Sequence, residues 1–144
     1  MPGPTGTAAL TELIELAEAA LRNSHAPYSR FRVGAALRSQ AGHVYSGCNV
    51  ECASYPLGGC AERAAIAAAV LAEGPSLRIT ELHVVARDDS GTLRSAAPCG
   101  ACRQLILEFS SDAVIGFLGH DGKAQRWSIR DLLPAAFNLE SQSA

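Results

Sequence analysis

The side chains able to do chemistry gather in two short stretches, GGCAERAAIAAAV from Gly58 to Val70 and PCGACRQ from Pro98 to Gln104. In the first, Cys60, Glu62 and Arg63 stand at the head of an alanine- and isoleucine-rich run that reads as a buried helix. Charged side chains are rarely buried without partners, so their presence at the edge of a core requires a reason. In the second, Cys99 and Cys102 have C-x-x-C spacing at the start of another predicted helix.

Helix starts explain the cysteines. Unpaired backbone N–H groups and the helix dipole both lower a thiol's pKa and stabilise the thiolate that a metal needs. If the second helix begins near Pro98, Cys99 and Cys102 share one face of its first turn. Cys60 lies at a comparable helix start, so two helices can present three thiolates to one ion. Soft sulfur ligands favour zinc, and three of them leave the fourth tetrahedral position for water, the catalytic arrangement. Bound zinc lowers the pKa of water toward about 7. Arg63, next along from Glu62, would offset the excess thiolate charge.

Glu62 supplies an acid/base group. Residues two apart in a helix diverge by about 200°, so Cys60 and Glu62 share a face only if Cys60 occupies the non-helical cap. Other readings stay open for each residue. The C-x-x-C could be a redox pair or half of a structural zinc site, with Cys48 and Cys52 completing a set of four. Glu62 could be an exposed helix-start carboxylate, and Arg63 a solvated charge.

The elements that must position these residues follow from periodicity. Leu10, Leu13, Ile14, Ala17 and Leu21 form one apolar helical face over residues 7–23, with Thr7 as N-cap. FRVGAALRS and HVYSGCNV, joined by QAG, read as an antiparallel hairpin. After a loop over residues 51–59, the second helix runs from about Cys60 to Glu73 and stops at Gly74-Pro75. RITELHVVAR is a strand, PCGACRQLILEF a helix, AVIGFL and AQRWSI two more strands, and IRDLLPAAF a last helical turn. The alternation of helices and strands after residue 60 predicts a largely parallel α/β sheet covered on both faces.

The bulk numbers agree with one globular domain spanning residues 1–144, with residues 1–6 a flexible lead-in. Hydrophobic residues make up 48% of the chain and charged residues 18%, ample for a core. A net charge of −2 leaves no basic footprint for nucleic acid. No apolar run approaches the roughly 20 residues of a membrane span, and the first residues lack a secretory-signal pattern. Five cysteines in such a chain favour metal binding or catalysis over disulfides, and a cytoplasmic setting.

The pairing of CAE with PCGAC resembles the zinc-dependent nucleoside and nucleobase deaminases. More specifically, PYSRFRVGAAL, GCNVE, CAERAAI, PCGACRQ and LLPAAF are similar, in family order from Pro27 to Phe137, to the small tetrameric cytidine deaminases. The resemblance implies a three-layer α/β/α sandwich with a five-stranded mixed sheet. It implies hydrolytic deamination of cytidine or 2′-deoxycytidine in pyrimidine salvage, with one zinc per subunit held by Cys60, Cys99 and Cys102. Glu62 would carry a proton from the activated water to the ring N3 and then to the leaving amine. Asn49 and Glu51 would grip the ribose, Phe31 would pack against base or sugar, and Ala61 would offer backbone contacts. In a homotetramer, neighbouring chains would complete each pocket through Ala53, Tyr55 and Phe137. The small side chains of Ala64 to Ala69 suit either that subunit interface or packing within the chain.

Two features depart from the family pattern. Cys52 stands where asparagine commonly follows the N-V-E triplet, and YPLGGC differs from the usual run before the metal cysteine. Gly-Gly at that point resembles blasticidin-S deaminases, a related substrate class, whereas N-V-E and Arg63 favour cytidine. A non-catalytic zinc-stabilised module is the reading from outside enzymology.

Overall fold

The computed structural model describes residues 6–139, so most of the expected lead-in lies outside the described residues. Helix α1 (Thr7–Leu21) turns Leu13, Ala17 and Leu21 into the core, as the apolar face predicts. It ends two residues earlier than expected, and its N-cap is Gly6 rather than Thr7. Thr7 is already helical, and its carbonyl accepts from the Thr11 hydroxyl at 2.8 Å.

Strands β1 (Arg32–Ser39) and β2 (Val44–Cys48) form the predicted antiparallel hairpin. Helix α2 (Ala61–Glu73) follows a single 3-10 turn at Tyr55–Leu57 and ends at Gly74, whose φ of 73° suits glycine. Strand β3 (Ile79–Arg87) pairs with a two-residue strand β4 (Leu93–Arg94) that periodicity cannot reveal. Helix α3 (Gly100–Phe109), strands β5 (Val114–Leu118) and β6 (Ala124–Ser128) and the short helix α4 (Ile129–Leu132) complete the order.

The sheet runs β2-β1-β3-β5-β6, with β4 at the side of β3. It is mixed, which corrects the expectation of a largely parallel sheet. Among the described residues, only strands β3 and β5 pair in parallel, and every other strand pairing is antiparallel. The physical reason lies in β1. The α2 crossover does give β2 and β3 the same direction, but β1 occupies the gap between them and runs against both. Helix–strand alternation reveals direction and says nothing about which strand fills the gap.

Two close approaches set the three layers. An added Cβ on Gly34 would lie 1.9 Å from the Ala17 carbonyl oxygen, so α1 rests directly on one face of β1. An added Cβ on Gly47 would lie 2.4 Å from the Ala65 nitrogen and 2.7 Å from the Ala61 oxygen, so α2 rests on the other face at β2. The larger core fills the α2 and α3 side with Leu37, Ile66, Leu82, Ile106 and Ile115, and the smaller one joins α1 to Ala36 and Val85. Ala61, Ala65 and Ala69 are fully buried against the sheet. Alanine on this face lets the helix backbone come close, and it brings the first turn of α2 to the edge where α3 also begins.

Candidate metal centre and active site

Cys60 is the N-cap of α2 and Cys99 the N-cap of α3, both with extended backbone. Neither side chain caps its own helix, so both sulfurs remain available to an ion. The expected start of α3 at Pro98 moves to Gly100, which places Cys99 at the cap and Cys102 in the first turn. A cap residue and the one three positions later adjoin each other, the geometry that side-chain capping exploits. The position of Cys60 outside the helix also removes the angular conflict with Glu62.

The three sulfurs lie within 4.8 Å of one another. Tetrahedral zinc, with bonds of about 2.3 Å, sets its sulfurs about 3.8 Å apart, so the cluster fits zinc with small adjustment. Cys48 and Cys52 stand outside it: among the described residues, Cys60, Cys99 and Cys102 are the one group arranged to hold a metal. All five cysteines are free thiols.

The Cys60 and Cys102 thiols share a proton between them. Cys60 is lowered to about 6, chiefly because the Cys102 thiol donates to it, with help from Cys99 and from the Arg63 charge. Cys102 moves upward as the donor in that pair and because it is buried. Arg63 is solvent-exposed and touches the site through its charge.

Glu62 is 4% exposed, a carboxyl lodged beside sulfur in the first turn of α2. Burial pushes its pKa above the usual carboxylate range, and the Cys60 charge adds to the shift. It faces a cavity of about 380 Å³ whose wall also includes Phe31, Asn49, Glu51, Cys60, Ala61 and Cys99. Seven predicted residues thus meet around one space, while Cys102 lies fully buried behind it.

The sugar-binding candidates are themselves held. Glu51 Oε1 accepts from the Tyr28 and Ser29 amides, each at 3.0 Å. The Ser29 hydroxyl and these amides hold the carboxyl below its ordinary pKa. Asn49 Nδ2 donates to the Phe31 carbonyl and its Oδ1 accepts from the Val33 amide, both at 2.9 Å. Sequence reasoning missed these anchors because backbone donors carry no side-chain signature. It also missed Val33, Val84 and the segment Ser95–Ala97, which complete the cavity wall.

Three predicted residues stand apart from this cavity within the single chain. Ala53 is exposed; Tyr55 is 76% exposed beside Tyr28, and Phe137 is 67% exposed near the chain end. Tyr55 lines an adjoining hollow of about 400 Å³ with Cys52 and Glu51.

Comparison with known proteins accords with this geometry. Residues 8–117 match the family model described as the cytidine and deoxycytidylate deaminase zinc-binding region. A cytidine deaminase of Halalkalibacterium halodurans is 41% identical over 91% of this chain and 96% of its own length. One of Sporosarcina psychrophila is 37% identical over 92% and 93% respectively. The crystal structure of a cytidine deaminase from Burkholderia pseudomallei superposes with a TM-score of 0.76 at 40% identity, covering 92% of this chain and all of that one. With a matching zinc-binding region, full-length relatives and the same arrangement of strands and helices, the chain belongs to the cytidine and deoxycytidylate deaminase family.

Proposed function

We propose that the protein deaminates cytidine and 2′-deoxycytidine to the corresponding uridines with release of ammonia, a step of pyrimidine salvage. The observation that carries this reading is the single cavity joining Glu62 and two cluster cysteines to Asn49 and Glu51. Its volume lies within the range of small-molecule sites.

Cys60, Cys99 and Cys102 would hold one zinc ion, which when bound would supply an activated water as nucleophile at neutral pH. Glu62 carries the protons. Its desolvated carboxyl, shifted toward neutrality, accepts a proton from the attacking water and passes it to ring N3, then takes the second proton from the hydroxyl added at C4 and delivers it to the departing amine. In the overall change, the C4–N bond breaks, a C4–O bond forms, and one water is consumed. Ala61 opens α2, so its N–H lacks a helical partner and is free for the base. Phe31 packs against the pyrimidine or sugar. Glu51 Oε2 and the remaining Asn49 N–H bind the sugar hydroxyls. Arg63 offsets thiolate charge from the solvent side.

We further infer a homotetramer in which Ala53, Tyr55 and Phe137 complete neighbouring pockets. Arg63, Ala67 and Leu71 form an exposed stripe on α2, and Leu71 is 90% exposed. A shallow hollow of about 720 Å³, lined by that stripe with Val50, Leu105 and Phe109, gives an apolar face for another copy. The two cores share one sheet, which supports a single domain. We infer action in the cytoplasm, the setting in which metal-binding thiols are kept from forming disulfides.

Ammonia release from cytidine, deoxycytidine, blasticidin S and adenosine tests the reading. The first two are expected to turn over. Glu62→Gln should lower kcat by at least about 100-fold while zinc content is unchanged. A zinc-loaded wild type that releases ammonia from no nucleoside would overturn the proposed activity.

A further inference from the structure

Ser24, just beyond α1, lies outside the cavity wall, yet its hydroxyl donates to Asn49 Oδ1. The same hydroxyl reaches the Asn49 carbonyl oxygen at 3.3 Å. Backbone pairing keeps it in place: the His25 amide donates to the Asn49 carbonyl at 3.2 Å, and the Glu51 amide to the His25 carbonyl at 2.8 Å.

The contacts around Asn49 fill a definite inventory. An amide side chain offers two acceptor positions on oxygen and two N–H donors. The Val33 amide and the Ser24 hydroxyl occupy both acceptor positions, and the Phe31 carbonyl takes one donor. One N–H remains, on a residue that lines the cavity. The neighbouring Glu51 takes both amide contacts on Oε1, so even with the Ser29 hydroxyl beside the carboxylate Oε2 keeps acceptor capacity.

We propose that Ser24 is a positioning residue that makes Asn49 a one-way donor toward the sugar. A ligand hydroxyl between the pair must then accept from Asn49 and donate to Glu51. Loss of the serine hydroxyl leaves a lone pair of Oδ1 unfilled, frees the amide to rock, and lets a hydroxyl approach with the wrong polarity. The proposal rests on the nucleoside deaminase reading, and it extends the sugar site to a residue that never touches substrate.

The test compares zinc-loaded wild type, Ser24→Ala and Ser24→Thr on cytidine and on 2′,3′-dideoxycytidine, which lacks both ring hydroxyls of the sugar. Ser24→Ala should lower kcat/KM for cytidine about three- to tenfold, mainly through KM, the effect of one lost neutral hydrogen bond. The dideoxy substrate should change by less than about twofold, and Ser24→Thr should restore cytidine turnover, because both lack the cause of the defect. Equal losses on both substrates, or no loss on cytidine, overturn the role of Ser24 while leaving the deaminase reading intact. Wild type inactive on every nucleoside overturns both.

Discussion

Two helix caps and one first-turn residue make the candidate metal centre, and each can be tested singly. Cys60→Ser, Cys99→Ser and Cys102→Ser should each reduce bound zinc to a small fraction, measured as metal per chain after dialysis. Cys48→Ser and Cys52→Ser should retain close to one equivalent, because neither sulfur joins the cluster. Zinc loss in either of the latter two would break the ligand assignment. The trio was legible as one of several readings, because thiols at two helix starts can meet at one ion; the structure separates it from Cys48 and Cys52. The cap position of Cys60 was not settled by the sequence, which showed only that such a placement would remove the conflict with Glu62. Nor was the state of Asn49. Its amide spends three of its four hydrogen-bonding positions on the protein itself, and two of those partners are backbone groups that every residue type possesses.

Among the elements, α1 and α2 oppose each other across the sheet, but only α2 carries the site. Gly34→Ala and Gly47→Ala should therefore both lower stability, by about 1–3 kcal/mol, since each new methyl meets helix backbone that must shift. Gly47→Ala should also weaken zinc binding, because it displaces the turn that follows Cys60, whereas Gly34→Ala should leave metal affinity unchanged. Calorimetric zinc titration of folded variants separates the two; equal affinity in both would uncouple α2 from the centre. The β3–β4 turn offers a pH probe remote from the metal. Asp88 is lowered from 3.8 to about 2, first by the Ser90 hydroxyl and then by the Thr92 amide and Arg94. A depressed carboxylate contributes stability above its unfolded pKa, so this contribution is lost as pH falls from about 3.8 toward 2. Denaturation of wild type and Asp88→Asn should converge over that window; a constant difference would refute the assignment. Element spans were legible from local periodicity, which is why the hairpin and the ends of α2 and α3 agree closely with expectation. The insertion of β1 between β2 and β3 was not, because strand neighbours are chosen by contacts between distant segments.

At the scale of the whole molecule, the cavity in one chain has residues such as Tyr55 and Phe137 turned away from it, and α2 leaves an apolar stripe uncovered. Leu71→Arg places a charge at the far end of that stripe, on its most exposed apolar side chain, and should convert the proposed tetramer to smaller species in light scattering. Activity should fall by about tenfold or more if neighbouring copies complete the pocket. An unchanged mass would show that the assembly uses another face. The sequence offered the family resemblance here, but a stripe of small and apolar side chains becomes visible as a surface only once the opposite face of the helix is known to be buried.

The placement of the three sulfurs also has a consequence in time. Cys60 precedes the strand that must be laid beside β1 before α3 can begin, and its last partner follows about 40 residues later. At roughly 5–20 residues per second of synthesis, Cys60 waits about 2–8 s for Cys102. A centre that needs all three sulfurs therefore forms after the hairpin and α2 have been synthesised. The complete ligand set is thus available only once β1, β2, α2 and β3 have all been synthesised, and before β5 and β6 have been.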